Sequence, residues 1–397
     1  MGTRQVVETL GARAFCFVVL TTLSNAACGR GDDDVGGGSS TGGATSSGSG
    51  GANSGGARAM SSGGAGATSS GGSGGAGGVT PGGSGGDSGG GTGGVTPDAG
   101  SGTDADAGSG TASPGIAARH PGDLDIESDP DVIFADDFES YADASELWDR
   151  WDNTYQEAQT RITTEPSNVY AGNQALEFTL PAQDEELSNA VQKVLTTELD
   201  AMYLRWYAKF EGNNDIVGSS HNGGGMSAHY FVTGQATPGV RADGMNKFLV
   251  ECEHWRGEAS GASPGLLNVY VYHPGQRDDY GDHFFPSGLV MPNTSLPFDF
   301  GPDFEPHSEI TPDLDRWYCY ELLVKANTPG ERDGHITIWL DGEQVADFGN
   351  LRMRDVDTLK IDRFNLSFHA RATPTQTRRF YDNVVAATSY IGPIALQ

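Results

Sequence analysis

Between residues 131 and 393 the chain alternates apolar and polar residues again and again with a period of two, and that pattern commits it to β-sheet. The run NVYVYHPGQRDDYGD (268–282) opens with the clearest case. Asn268, Tyr270 and Tyr272 point to one face, and Val269, Val271 and His273 to the other. The two phenols therefore stand side by side, about 6.5–7 Å apart along the strand, while the valines suit a core. Similar runs recur: VIFADDFE, ALEFTL (175–180), MYLRWYAKF (202–210), KFLVECEHW (247–255), WYCYELLVKAN (317–327), HITIWL (335–340), EQVADF, RFNLSFHA (363–370) and RRFYDNVVAATSYI. Asp341-Gly342 predicts a two-residue hairpin between two of them. Helical periodicity is nearly absent, with short turns expected only at 143–149 and 189–195. Many strands at regular spacing predict an all-β fold, a β-sandwich or jelly roll whose two sheets stack about 10 Å apart.

This block is preceded by sequence of another kind. Residues 1–28 read as an export signal, with Arg4 and Arg13 ahead of the short apolar run AFCFVVLTTL and small residues before Cys28. The pattern resembles a bacterial lipoprotein signal with Cys28 as the lipidated residue, although Asn25 stands where an aliphatic residue is usual. Plain secretion after Ala26 is the alternative. Residues 29–125 predict a disordered Gly/Ser-rich linker, because a tract without apolar periodicity cannot offset its ordering entropy. Its root-mean-square reach is about 50 Å. Residues 131–397 then form the folded domain. The expected location is the cell envelope, with contact to a membrane through the lipid anchor, and the expected state is a monomer.

The formal net charge of −29 argues against a nucleic-acid partner, which demands a basic footprint. Four cysteines are present. Cys16 leaves with the signal, and Cys252 and Cys319 are either a bridge or two buried thiols. No Cys/His spacing suggests zinc.

Alternation also assigns faces. Leu204, Trp206, Ala208 and Phe210 are expected inside, as are Phe248, Val250, Cys252, Phe364, Leu366 and Phe368. If these strands share a sheet, its outer face carries Arg205, Lys209, Glu251, Glu253, Trp255, Tyr270, Tyr272, Asn365 and His369. Rings, charges and amides mixed in this way suit a carbohydrate-binding groove, although a solvated sheet face is also polar.

The segment 203–393 resembles polysaccharide lyases of family 14, the alginate and glucuronate lyase type with a concanavalin A-like jelly roll. VYVYHPGQRDDYGD is similar to the family's Tyr-x-Tyr strand and its loop. ANTPGERDGHITIWLDGEQV and FYDNVV are similar to its penultimate hairpin and closing strand, which other concanavalin-like domains share. The resemblance implies β-elimination on a uronic-acid polysaccharide. Tyr270 or Tyr272 would act as base or acid, and Arg205 or a histidine such as His221 would neutralise the sugar carboxylate. Lys209, Glu251, Glu253, Trp255, Asn365 and His369 would bind substrate. The family's lysine and Ser-x-Arg pair have no counterpart: NNDIVGSSHNGGG and KFLVECEHW stand there instead. A glycoside hydrolase using Glu251 and Glu253 and a non-catalytic glycan-binding domain are the other readings. No cofactor is required for catalysis. A structural calcium ion is expected between Asp136, Asp137, Glu139 and Asp382, near the turn at Gly172-Asn173, since oxygen-rich ligands suit that ion.

Overall fold

A computed structural model of the protein describes residues 115–218, 221–231 and 238–396. The export signal, the lipidation candidate Cys28 and most of the linker lie outside the described residues.

The described chain folds into sixteen strands and six short 3-10 turns. In order the strands are β1 (Val132–Asp136), β2 (Asn153–Tyr155), β3 (Thr160–Thr163), β4 (Ala175–Leu180), β5 (Leu187–Leu199), β6 (Ala201–Phe210), β7 (Gly224–Ala228) and β8 (Phe248–Trp255). There follow β9 (Leu266–Tyr272), β10 (Asp282–Phe284), β11 (Val290–Met291), β12 (Tyr318–Lys325), β13 (Gly334–Leu340), β14 (Glu343–Leu351), β15 (Ile361–Ala370) and β16 (Thr377–Ala387). All pairings are antiparallel. One eight-stranded sheet runs β14-β13-β12-β6-β16-β4-β3, with β1 added on β16. The other, also of eight strands, runs β11-β10-β9-β8-β7-β15-β5-β2. This is the expected β-sandwich.

The two inner faces supply one core. Leu204, Trp206 and Phe210 from the first sheet join Phe248, Val250, Cys252, Val269, Val271, Phe364, Leu366 and Phe368 from the second. Each is a residue that alternation sends inward. The hairpin at Asp341-Gly342 forms as expected: Leu340 pairs with Glu343, and both turn residues have positive φ, 53° and 85°. Such a twist matches that of the flanking strands. Cys252 and Cys319 are separate buried thiols, because Cys252 faces the core from β8 while Cys319 lies on β12 opposite Tyr207 in the other sheet.

Three expectations need correcting. The segment 189–195 is not a turn but the middle of β5, the longest strand; its V-x-x-V-L spacing imitates a helix, yet the second sheet claims it between β15 and β2. The linker does not run to 125. Ile116 and Ala117 are buried, and their amides donate to Tyr390 and Ile391 carbonyls at 3.0 and 2.8 Å. Residues 115–131 thus form a strap over the outer face of the first sheet.

The third correction concerns Arg205 and Lys209. Their strand, β6, belongs to the first sheet, so neither shares a face with the tyrosines. Arg205 is completely buried under the strap, where it pairs with Asp123 and donates to the carbonyls of Gly392 and Asn383. Lys209 donates to Asn168 Oδ1 at 2.8 Å and lies over the rings of Phe380 and Trp317. Both are structural. Removing one partner of a buried pair strands the other charge. Asp123→Ala is therefore expected to cost about 3–5 kcal/mol of unfolding free energy, measured by denaturant titration; a loss below about 1 kcal/mol would show that the strap is not held by this pair.

Candidate functional site

The outer face of the second sheet carries one transverse row of paired residues. His283 (β10) pairs with Tyr270 (β9), Tyr270 with Glu251 (β8), Glu251 with Gly225 (β7), Gly225 with Asn365 (β15) and Asn365 with Gln192 (β5). Gly225 is the gap in that row. A Cβ there would stand 2.2 Å from Glu251 Oε2. With no side chain in the way, the Glu251 carboxylate lies across β7 and accepts from Asn365 Nδ2 at 3.2 Å. Two residues on non-adjacent strands are thereby joined.

Above this row is a cavity of about 240 Å³. Tyr270, Tyr272, Glu251, Asn365, His369 and His221 all border it, so six of the expected site residues meet. Tyr155 and Phe231, each a little over 40 % exposed, stand at its rim. Glu253 sits just beneath, wholly buried, and accepts from His221 Nδ1 at 2.8 Å. Trp255 lies farther along β8, its ring 4.6 Å from that of His283, and does not border the cavity.

The segment 221–223 is held in place from below. The amides of Ser367 and His369 donate to the carbonyls of Gly223 and His221 at 2.9 and 2.7 Å, and Tyr381 Oη, which donates to Ser367 O at 2.5 Å, lies 3.3 Å from Gly223 O. His221 then stacks on His369, with ring centroids 5.3 Å apart, and approaches Tyr270 at 5.1 Å.

The tyrosines face away from the core, as expected, but they are covered. Tyr270 is 6 % exposed and Tyr272 1 %. Their hydroxyls lie 3.5 Å apart; Tyr270 Oη accepts from the Gly281 amide at 3.0 Å and Tyr272 Oη from the Gly239 amide at 3.2 Å. Burial, and next the neighbouring Tyr272, push the Tyr270 phenol far above its usual range. It keeps its proton at any ordinary pH.

The two glutamates diverge although both are buried on one strand. Burial raises Glu251 to about 7, with the charge of His221 opposing and that of Glu253 adding to the rise. For Glu253 burial also favours the neutral form, yet the charge and hydrogen bond of His221, then His283, hold it below the normal carboxylate range. Environments that drive two carboxyls apart are a mark of functional sites. Burial also brings His369 down to about 3, so it is neutral.

Two neighbours were not singled out from the sequence. Lys247 is buried between the rings of Tyr230 and Tyr272, at 4.8 and 4.9 Å, and burial lowers it to about 8. The alternation that exposes Leu249, Glu251 and Glu253 to this face places Lys247 on it too, so the signal was present. His283 sits on a three-residue strand too short to be read from a pattern.

The four carboxylates of the expected calcium site have partners within the chain. Asp136 accepts from Tyr141 Oη at 2.5 Å, Trp151 Nε1 at 2.7 Å and the Phe138 amide at 2.9 Å, which satisfies both oxygens. Asp137 caps the Glu139 amide at 3.1 Å. Glu139 and Asp382 do reach the 170–174 turn, but they accept its backbone amides: Asn173 and Gln174 on Glu139, Tyr170 and Ala171 on Asp382. Among the described residues no group of three or more His, Cys, Asp and Glu comes together in a way that could hold a metal.

No protein-family model and no curated protein sequence matches the chain. Solved structures with a similar backbone include alginate lyase Aly36B, at 18 % identity over 66 % of this chain and 98 % of that one, with a TM-score of 0.47. A marine PL-14 alginate lyase from Aplysia kurodai matches at 15 % identity over 65 % and 99 %, with a TM-score of 0.47. An endo-β-1,4-glucuronan lyase from the fungus Trichoderma reesei matches at 16 % identity over 65 % and 95 %, with a TM-score of 0.42. These are proteins of the type that the sequence resembles. At such identity the likeness concerns the fold alone, and the fold rests on the strand pairing above.

The raised Glu251 gives a stability signature. Its folded value, about 7, exceeds the ordinary 4.5, so the folded state binds the proton more tightly. The contribution is full below the unfolded value and is lost as pH rises through 7. Glu251→Gln keeps an acceptor for Asn365 and removes the titration. At pH 8 it is expected to exceed the parent in unfolding free energy by on the order of 2–3 kcal/mol, with little difference at pH 4. Equal stability of the two at both pH values would contradict the burial of this carboxyl.

Proposed function

We propose that the protein cleaves a uronic-acid-containing polysaccharide by β-elimination, with the sugar entering the cavity on the outer face of the second sheet. The observation that carries this reading is the His221–Glu253 pair beside Tyr270 and the Glu251–Asn365 pair. Elimination from a uronate needs a partner for the carboxylate, a base for the proton on C5 and an acid for the 4-oxygen. Glu251 in its neutral form and Asn365 supply O–H and N–H donors for the carboxylate, which acidifies C5. His221, hydrogen-bonded to Glu253 through Nδ1, takes the C5 proton in its neutral form. The C4–O bond breaks, the C4–C5 double bond forms, and the leaving oxygen receives a proton from Tyr270. A protonated phenol cannot be the base, so that role is given to His221. The hydrolase reading loses support, because Glu253 is wholly buried and engaged with two histidines.

A second reading has an observation of its own. No Arg or Lys is among the described residues bordering the cavity, and Tyr272 is almost fully covered. Those features favour a domain that holds a glycan without cutting it. Incubation of the purified protein with alginate and with glucuronan separates the two. Elimination yields a conjugated unsaturated end that absorbs in the ultraviolet, and Tyr270→Phe is expected to lower that rate by at least about a hundredfold while changing affinity less than about threefold. Binding with no new absorbance would replace the lyase reading with the second one.

Export and lipid attachment at Cys28 belong to the same proposal. Cys28→Ser is expected to move the protein from the membrane fraction to the soluble fraction of its native cell; an unchanged distribution would exclude that anchor.

A further inference from the structure

We infer that Gln192 and Tyr155 form a second sugar subsite, one strand beyond the Glu251–Asn365 pair, where the Gln192 amide receives the carboxylate of the uronate next to the reacting one; this rests on the substrate reading above. The transverse row of the second sheet does not end at Gln192. That residue pairs with Asn365 of β15 on one side and with Asn153 of β2 on the other. Adjacent strands lie about 4.8 Å apart, so one step along the row is close to the length of one pyranose ring. A polymer laid across the strands from Glu251 and Asn365 brings its next sugar over β5 and β2.

The orientation of the Gln192 amide follows from its partners. The side chain is buried, and it borders the cavity. One end of the amide receives a guanidinium nitrogen of Arg363 at 3.2 Å and Asn153 Nδ2 at 3.1 Å. Arginine can only donate, so that end is Oε1. Nε2 is the other end, and neither of its hydrogens has an acceptor among the described residues. A buried donor left without an acceptor is costly, and a ligand oxygen in the cavity relieves that cost. Arg363 itself is held by Asp362, to which its Nε and other terminal nitrogen donate at 3.2 and 3.0 Å. The nitrogen that remains is the one on Gln192. A charged donor on the amide oxygen polarises the group and strengthens its N–H bonds. With a cation bonded behind it, the amide suits an anionic acceptor better than a neutral one.

The ground beside Gln192 is open. In the next row Ser367 pairs with Ala190, and Ala190 with Tyr155, so two small side chains are followed by a ring. All three border the cavity. Tyr155 stands on the edge strand β2 and is 43 % exposed. Its ring offers a flat apolar surface to the C–H face of a sugar. A pyranose ring over Ala190 has the Tyr155 ring and the Gln192 amide within reach. The first sugar then binds through Glu251 and Asn365, and the second through one ring and one amide.

Calorimetric titration of the purified protein with oligosaccharides of alginate and of glucuronan tests the assignment, and its readout does not depend on turnover. Gln192→Glu keeps the acceptor for Arg363 and Asn153 but replaces the two donors with a charge that repels a carboxylate. It is expected to weaken binding by at least about tenfold. Tyr155→Ala is expected to weaken it by about tenfold, and Tyr155→Phe, which keeps the ring, by less than about twofold. In the elimination assay both losses are expected in KM, with kcat within about threefold. An affinity within about twofold of the parent in Gln192→Glu or in Tyr155→Ala, with the parent's circular dichroism kept, overturns the inference. Should Gln192→Glu fail to fold, the two Tyr155 variants decide. The expected losses in a protein without elimination activity would uphold the subsite and overturn only the lyase reading. A parent protein that binds none of these oligosaccharides overturns both.

Discussion

The pleat of strand β8 is the constraint on which the rest depends. One side of that strand gives Phe248, Val250 and Cys252 to the core, and the other gives Leu249, Glu251 and Glu253 to the site. A slip of one residue would put two carboxylates into the sandwich interior and three apolar side chains beneath the loops. Burial of the apolar face therefore fixes the register, and the register fixes the chemistry. The transverse row from His283 to Gln192 is inherited from the same pairing. A single glycine in that row, Gly225, then decides which side chains of neighbouring strands touch.

The site is an electrostatic arrangement before it is anything else. Two glutamates two residues apart on one strand share a face and a degree of burial, yet one is pushed up to about 7 and the other is held low. The difference lies in their neighbours. Glu253 has an imidazole at each oxygen, whereas Glu251 has an amide and the repulsion of Glu253. A carboxyl that takes up a proton readily beside one that stays charged puts a donor and an acceptor within one patch.

Much of this was legible in the chain, because period two is a direct statement about faces. The inward positions of Trp206, Val250, Val271 and Phe368, the tight turn at Asp341-Gly342 and the shared face of Glu251, Tyr270, Asn365 and His369 all follow from alternation. Sheet membership does not follow from it. Arg205 and Lys209 alternate as convincingly as the glutamates, but strand order is set by long-range pairing, and β6 joins the other sheet. Sequence also cannot show what satisfies a charge. Asp136 and Glu139 look like calcium ligands by type and spacing, whereas tyrosine, tryptophan and backbone donors already occupy their oxygens. Where the apolar spacing is ambiguous, as at Val191, Val194 and Leu195, it does not separate a strand from a turn. Short strands such as β10 offered no pattern at all, which left His283 unseen.

A crystal structure of the protein with an oligosaccharide of uronic acids would test the central claim most directly. One sugar ring is expected in the cavity, its carboxylate within hydrogen-bonding distance of Glu251 and Asn365 and its C5 facing His221. A saccharide bound elsewhere on the sandwich, with the cavity empty, would contradict it.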